Sequence, residues 1–483
     1  MNRWICAAAA CIFCFLLTAA TAGGAATAVY TTKAPAYEMV LVTDNGGVGI
    51  DQESVHFDFS SFSTQDASFP SQITADYQMS NRSGEEKTIS VALPVVTDLL
   101  SLHEKEISFQ VNGQEYYYSL LAGDTTEQFD GSLSSLINFL SSAQTQSTNL
   151  KSDAFWNEGD AYAVTVQPRD NSFELVVTMN VDLQKCKLVY YGFRACQYDG
   201  IRTVRLSATV SKDHSVPLGF AVWGEKSGRS QPVISYYTDA KKTTSLPDQG
   251  AFFTEQQTDL SRLIWDAIKQ YSNANPDNFS DNFSLKSFYS SPQPYKLVAS
   301  MIDETLEKEN CISLEQNISA CYSMERLVFL FYTFPFKKGE TKQVSLQYET
   351  EGTIDQRSTA QPLYHYEYKM ETANKWPFFD QLSLSITPPA DAPYVIESEP
   401  SFTKQEDGSY LAELSSVPKE DVAFSIHASE TISNIKGTNG NSFSVSKIVL
   451  YLFLILLGIS ILHFVILILK GQSRKMKHHK NDS

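Results

Sequence analysis

From residue 73 to residue 93, apolar and polar positions alternate on both sides of a polar turn. Ile73, Ala75, Tyr77 and Met79 share one phase, and after the turn at 81–87 Ile89, Val91 and Leu93 share another. Period-two alternation around a turn predicts a β-hairpin with one buried face. "EISFQVNGQEYYYSLL" repeats the pattern around Asn112-Gly113, a dipeptide suited to two-residue hairpin turns. Further strands are predicted in "SFELVVTMNV", "IRTVRLSATV" and "PLGFAVWGEK".

Two stretches change period. In "GSLSSLINFLSS", Leu133, Leu136, Ile137 and Leu140 recur at helical spacing. In "TEQQTDLSRLIWDAIKQY", Leu260, Leu263, Ile264, Ala267, Ile268 and Tyr271 form one helical stripe, with Thr254 and Gln257 as a capping box. A second helix is expected at 296–308, with Leu297, Met301 and Ile302 inward. Strands then return in "RLVFLFYTFPFKKGETKQVSLQYETEG", "PLYHYEYKM", "FDQLSLSITPP" and "DVAFSIHAS". The pattern predicts a mainly β fold built from two β-sandwich-like units. One spans 29–238, with a helical insertion near 131–143, and the other spans 311–430. A helical connector at 239–310 joins them and packs against both.

The ends of the chain read differently. A basic start, a short apolar run and small residues at A-x-A spacing predict a signal peptide over 1–22, with cleavage as late as 28. A Gly/Asn/Ser-rich linker at 431–447 leads to 448–469, an apolar segment without formal charge and long enough for one transmembrane helix. The tail at 470–483 is basic, which places it in the cytoplasm and the two β units outside the cell membrane. The chain's net charge of −17 argues against a nucleic-acid partner, which requires a basic face.

Removal of the signal peptide leaves Cys186, Cys196, Cys311 and Cys321. Four external cysteines predict two disulfides, and spacing alone permits three connectivities. Closeness in sequence favours Cys186 with Cys196 and Cys311 with Cys321. "CKLVYYGFRAC" reads as a hairpin in which Cys186 opposes Cys196 and Gly192 takes the left-handed position. Zinc and redox sites favour C-x2-C-like spacing, which neither pair has.

No nucleotide-loop, zincin or nucleophile-elbow motif occurs, and no cofactor is implied. Tyr364, Tyr366 and Tyr368 would line one face of a strand, a candidate platform for a peptide or sugar ring, with tyrosines 116, 117 and 118 as further aromatics. Asp277 and Asp281 are candidate ligands of a weak calcium site, although they lack the spacing of an EF-hand loop. Asn81, Asn278, Asn282 and Asn317 lie in N-x-S/T contexts.

At "VYYGFRACQYDGIRTVRLSATV", "FPFKKGETKQVSLQYE" and "NKWPFFDQLSLSITPP" the chain resembles uncharacterised single-span, signal-peptide-bearing surface proteins of Gram-positive bacteria. That resemblance implies an architecture and no functional residue. The reading favoured by the sequence is a membrane-anchored extracellular protein for binding or structural contact, with a protein or glycan partner and no catalysis. The alternatives are a cell-envelope hydrolase built from scattered Asp, Glu and His, and an accessory ectodomain of a transporter or sensor.

Overall fold

The computed structural model describes residues 30–432, apart from 32, 43–45, 65–67, 127–131, 147–158, 168–169, 214–216, 225–229, 259, 276–282, 358 and 360. The expected signal peptide, membrane segment and tail lie outside the described residues, as does nearly all of the linker. Among the described residues no helix is long and apolar enough to cross a membrane.

The fold is mainly β, with five sheets among the described residues. An eight-stranded sheet contains Val48–Asp58, Pro70–Asn81, Thr341–Glu351, Ser108–Val111, Leu382–Thr387 and Tyr410–Leu414, with Thr403–Lys404 and Gln114–Glu115 at its two edges. Two smaller sheets face it. One is four-stranded and centred on Lys87–Thr97 and Arg326–Phe336; the other is six-stranded and centred on Leu363–Lys369 and Val422–His427. Phe109 of the large sheet stacks on Tyr332 of the four-stranded sheet at 3.9 Å between ring centroids. Phe57 of the large sheet meets Tyr366 and Phe424 of the six-stranded sheet edge-on at 5.5 and 5.4 Å. The segment 36–41 joins the two smaller sheets: Ala36–Tyr37 pairs with Leu363–Lys369, and Val40–Leu41 pairs with Lys87–Thr97.

This pairing corrects the hairpin expected over 73–93, and the strands of 326–351 follow the same rule. Pro70–Asn81 and Lys87–Thr97 are not hairpin partners, nor are Arg326–Phe336 and Thr341–Glu351. Instead Pro70–Asn81 pairs with Thr341–Glu351, and Lys87–Thr97 pairs with Arg326–Phe336. Each stretch is an arch whose arms enter opposite sheets. In a hairpin both apolar faces lie on one side of a single sheet, whereas an arch turns them toward each other across a core. The alternation itself is as expected: Ile73, Ala75, Tyr77, Met79, Ile89, Val91 and Leu93 are all fully buried. Strands from both sides of the helical segment therefore share sheets, and the sheets do not follow the expected division into 29–238 and 311–430.

The second sandwich is built almost entirely from 159–258. One sheet orders Phe252–Thr258, Gly159–Thr165, Leu218–Gly224, Cys186–Tyr191 and Cys311–Ser313. The other orders Ala195–Tyr198, Thr203–Val210, Phe173–Asn180, Val233–Tyr237 and Ser245–Leu246. They share a core that includes Leu175, Val177, Leu188, Leu206, Phe220 and Val222. The opposite face of the first sheet, with Val189, Ala221 and Trp223, joins the main core and its helices. Burial on both faces explains the near-continuous apolar run in "LGFAVWG".

Helix Leu133–Gln146 lies over the outer face of the four-stranded sheet through Leu136 and Leu140. Leu260–Ala274, Phe283–Tyr289, Pro292–Lys308 and Leu314–Ser323 form a helical layer. Leu260, Leu263, Ile264, Ala267 and Ile268 are buried as their spacing predicts. The expected capping box is absent, because Thr254 and Gln257 belong to strand Phe252–Thr258. The layer meets both β regions. Gln293 donates to Ala122 O at 3.0 Å and accepts from Ala122 N at 3.2 Å, occupying a sheet edge that would otherwise be open. Leu314–Ser323 packs on Cys186–Tyr191.

Candidate functional site

The tyrosine platform is overturned. Tyr364, Tyr366 and Tyr368 do share one strand face, but that face points into the core, and they are 1%, 3% and 0% exposed. Tyr366 packs against Phe57, Phe59 and Phe424. Strand Leu363–Lys369 is an interior strand, so its aromatic face covers the large sheet while His365 and Glu367 point outward. Of tyrosines 116, 117 and 118, Tyr117 is widely exposed, at 74%. Asp277 and Asp281 lie outside the described residues. Among the described residues, no group of three or more His, Cys, Asp or Glu is arranged to hold a metal. The Asn81 side chain is buried and donates to Glu85 O and Lys337 O, which withdraws it from the surface.

The cysteines are also rearranged. Cys186 begins a strand of one sheet and Cys196 lies on a strand of the facing sheet, so the predicted hairpin is a third arch. Gly192 at its corner does adopt the left-handed conformation, with φ of 74°. Neither expected local pair forms, and no two sulfurs are at bonding distance. Cys196 Sγ lies 2.8 Å from Cys311 Sγ, while Cys186 and Cys321 are buried in different cores.

The structure also contains a polar cluster that the sequence reading missed. Glu38 and Glu53 are both fully buried at the seam where 36–41 passes from one small sheet to the other. Tyr77 Oη donates to Glu38 at 2.9 and 3.0 Å, and Tyr368 Oη donates to it at 2.5 Å. Glu53 lies beside this carboxylate, and neither of its oxygens finds a partner of good hydrogen-bond geometry. Burial, followed by the charge of Glu38, pushes the Glu53 carboxyl well above its ordinary range. Burial also raises Glu38, but its tyrosine hydrogen bonds oppose the rise. One proton shared by the pair relieves the repulsion, and the hydrogen bonds assign that proton to Glu53. Burial likewise raises Tyr77 and Tyr368, which therefore remain neutral donors. The cluster is sealed from solvent and serves the sheet seam.

Two of the cavities among the described residues bear on function. One, of about 430 Å³, lies near Lys33, Asp98, Glu104, Glu325 and Glu351. Three of its acids are already engaged: Lys33 pairs with Glu351, Asp98 accepts from Leu100 N and Ser101 N, and Glu325 accepts from Thr126. The other, of about 650 Å³, lies at the corner between the two sheets of the second sandwich, lined by Val233, Tyr237, Leu246, Phe252 and Phe253. Val233 is 60% and Phe252 is 55% exposed. Four of the five large exposed hydrophobic residues among those described (Tyr198, Ile201, Val233 and Phe252) belong to this sandwich. Strand Phe252–Thr258 is a sheet edge, paired only with Gly159–Thr165, and Thr254, Glu255 and Gln256 are exposed along it.

No family model matches the chain, and no curated protein matches it. Among solved structures it is similar to a crystallised protein of Legionella pneumophila subsp. pneumophila, provisionally named a nutrient binding protein. The match covers 82% of this chain and 72% of that one at 7% identity, with a TM-score of 0.33. A likeness at that level carries no argument here.

Proposed function

We propose that the chain is a membrane-anchored surface protein whose second sandwich binds an extended segment of a protein partner. The observation that carries this reading is the open groove beside Val233 and Phe252, flanked by the edge strand Phe252–Thr258. An edge strand with unpaired backbone groups next to an apolar groove suits strand addition: backbone hydrogen bonds supply affinity and the groove selects a side chain. Val233 and Phe252, both exposed beside the groove, form an apolar patch that marks a contact surface. The signal-peptide pattern, the apolar 448–469 segment and the basic tail support an external location with one membrane span.

A photo-crosslinking amino acid placed at Phe252, and separately at Tyr117, tests the assignment in intact cells. The expected result is a discrete protein adduct from position 252 that is lost when Val233→Asp is added, and none from the more accessible position 117. Equal labelling at the two positions, or no adduct from 252, rejects the groove as the contact surface.

A further inference from the structure

The inserted sandwich has two open flanks. On one, the edges of its sheets border the groove. On the other, the edge strands are Ala195–Tyr198 of one sheet and Cys311–Ser313 of the other. Cys311–Ser313 is contributed by chain that follows the helical layer. It pairs in parallel with Cys186–Tyr191, with Cys311 beside Leu188, whereas Cys196 lies opposite Leu206. These two registers bring Cys196 Sγ and Cys311 Sγ to 2.8 Å, although the residues are 115 positions apart. Both side chains are half-buried, accessible to a small oxidant.

We propose that Cys196 and Cys311 form a disulfide that clasps the two sheet edges of the inserted sandwich and ties it covalently to the helical layer. The contact with Cys311 holds the Cys196 thiol below the ordinary cysteine range, while the same contact and burial push Cys311 up. Disulfide exchange can start from Cys196. Its thiolate attacks one sulfur of an external disulfide oxidant, forming a mixed disulfide and expelling a thiolate. Cys311 then loses its proton and attacks Cys196 Sγ, expelling the oxidant's second thiolate. Two electrons pass to the oxidant, and the two protons released by the cysteines reappear on its thiols.

The clasp assigns a long-range connectivity, and its occurrence in the cell rests on the external location proposed above. Purified full-length protein in detergent is reduced, freed of reductant, incubated with oxidised glutathione, alkylated and peptide-mapped. The expected product is one cross-linked peptide pair carrying Cys196 and Cys311, with faster migration on non-reducing gels. Cys186→Ser should retain both signatures and Cys196→Ser should lose them. Joining of Cys196 or Cys311 to any other cysteine, or alkylation of both after oxidation, overturns the clasp. Alkylation of intact cells before lysis tests the location separately: a clasp that forms in vitro but is absent from trapped cells rejects the external reading and leaves the connectivity standing.

Discussion

Replacing Glu53 with glutamine should stabilise the protein at neutral pH and leave it nearly unchanged in acid. Glu53 is fully buried against Glu38, and its folded pKa is raised by burial and by that neighbouring charge. A carboxyl raised in the folded state binds its proton more tightly than the unfolded chain does. Its favourable contribution is complete below the unfolded value of about 4.3 and is lost as pH rises toward the folded value. Across that window the wild type loses about 1.4 kcal/mol of stability per pH unit for this one proton. Glutamine has nearly the same shape and does not titrate, so the variant should lack this slope, and its advantage should widen with pH. Glu38→Gln makes the contrasting case. Its carboxylate accepts from both Tyr77 and Tyr368, so the substitution weakens two buried hydrogen bonds and should destabilise at every pH. Urea midpoints measured from pH 4 to 8 provide the assay. Equal effects of the two substitutions, or an unchanged pH slope in Glu53→Gln, would refute the assignment of the shared proton.

Tyr366→Ala should act on stability rather than on ligand binding, costing about 3–5 kcal/mol as an aromatic truncation in a packed core, visible as a lower denaturation midpoint. Gly192→Ala should destabilise by at least about 1–2 kcal/mol, because the residue has φ of 74° and an added Cβ would lie 2.2 Å from Pro217 O; a thermal midpoint matching wild type would count against the arch geometry. Reductant should lower the stability of the oxidised protein by about 5 kcal/mol, the chain-entropy value for a loop of this length, and should do nothing to Cys196→Ser.

Much of the secondary structure was legible in the sequence, but the pairing of its strands was not. Alternation in 73–93 and 326–351 located strands, their buried faces and their turns. The same alternation is produced by a hairpin and by an arch, since both require one apolar face per arm. The choice depends on which other strands are available to pair. Here the arms of two distant arches pair with each other, so each arch is satisfied only by the other. The tyrosines of "YHYEY" failed for a related reason: a stripe of large aromatics indicates which residues share a face, and only the layer stacked on it decides between core and surface. Glu53 did leave a signal. A bulge between Ile50 and Gln52 shifts the strand's phase, and the phase set by Val55 and Phe57 carries Glu53 inward. Glu38, an acid among the apolar residues of "AYEMVLV", is the corresponding sign on the other side of the seam.

The two β regions divide their polar and apolar exceptions unequally, and that division bears on where binding can evolve. In the main sandwich the exceptional groups are internal: two buried carboxyls and their tyrosines fill the seam between sheets, and a surface change there reaches a core drawn from both ends of the chain. In the inserted sandwich the exceptions face outward, as Tyr198, Ile201, Val233 and Phe252. Its core is separate and is assembled from 159–258 with one three-residue strand from outside that segment. Substitutions around the groove therefore perturb a locally made core, while Cys311–Ser313, through its pairing with Cys186–Tyr191, joins the sandwich to the helical layer. A partner seated on Phe252–Thr258 would pull on the sheet that also contains Cys311–Ser313, four strands away. The proposed clasp would thus stand on the same sheet as the proposed contact, at its opposite edge, where it would resist separation of the two sheets under load.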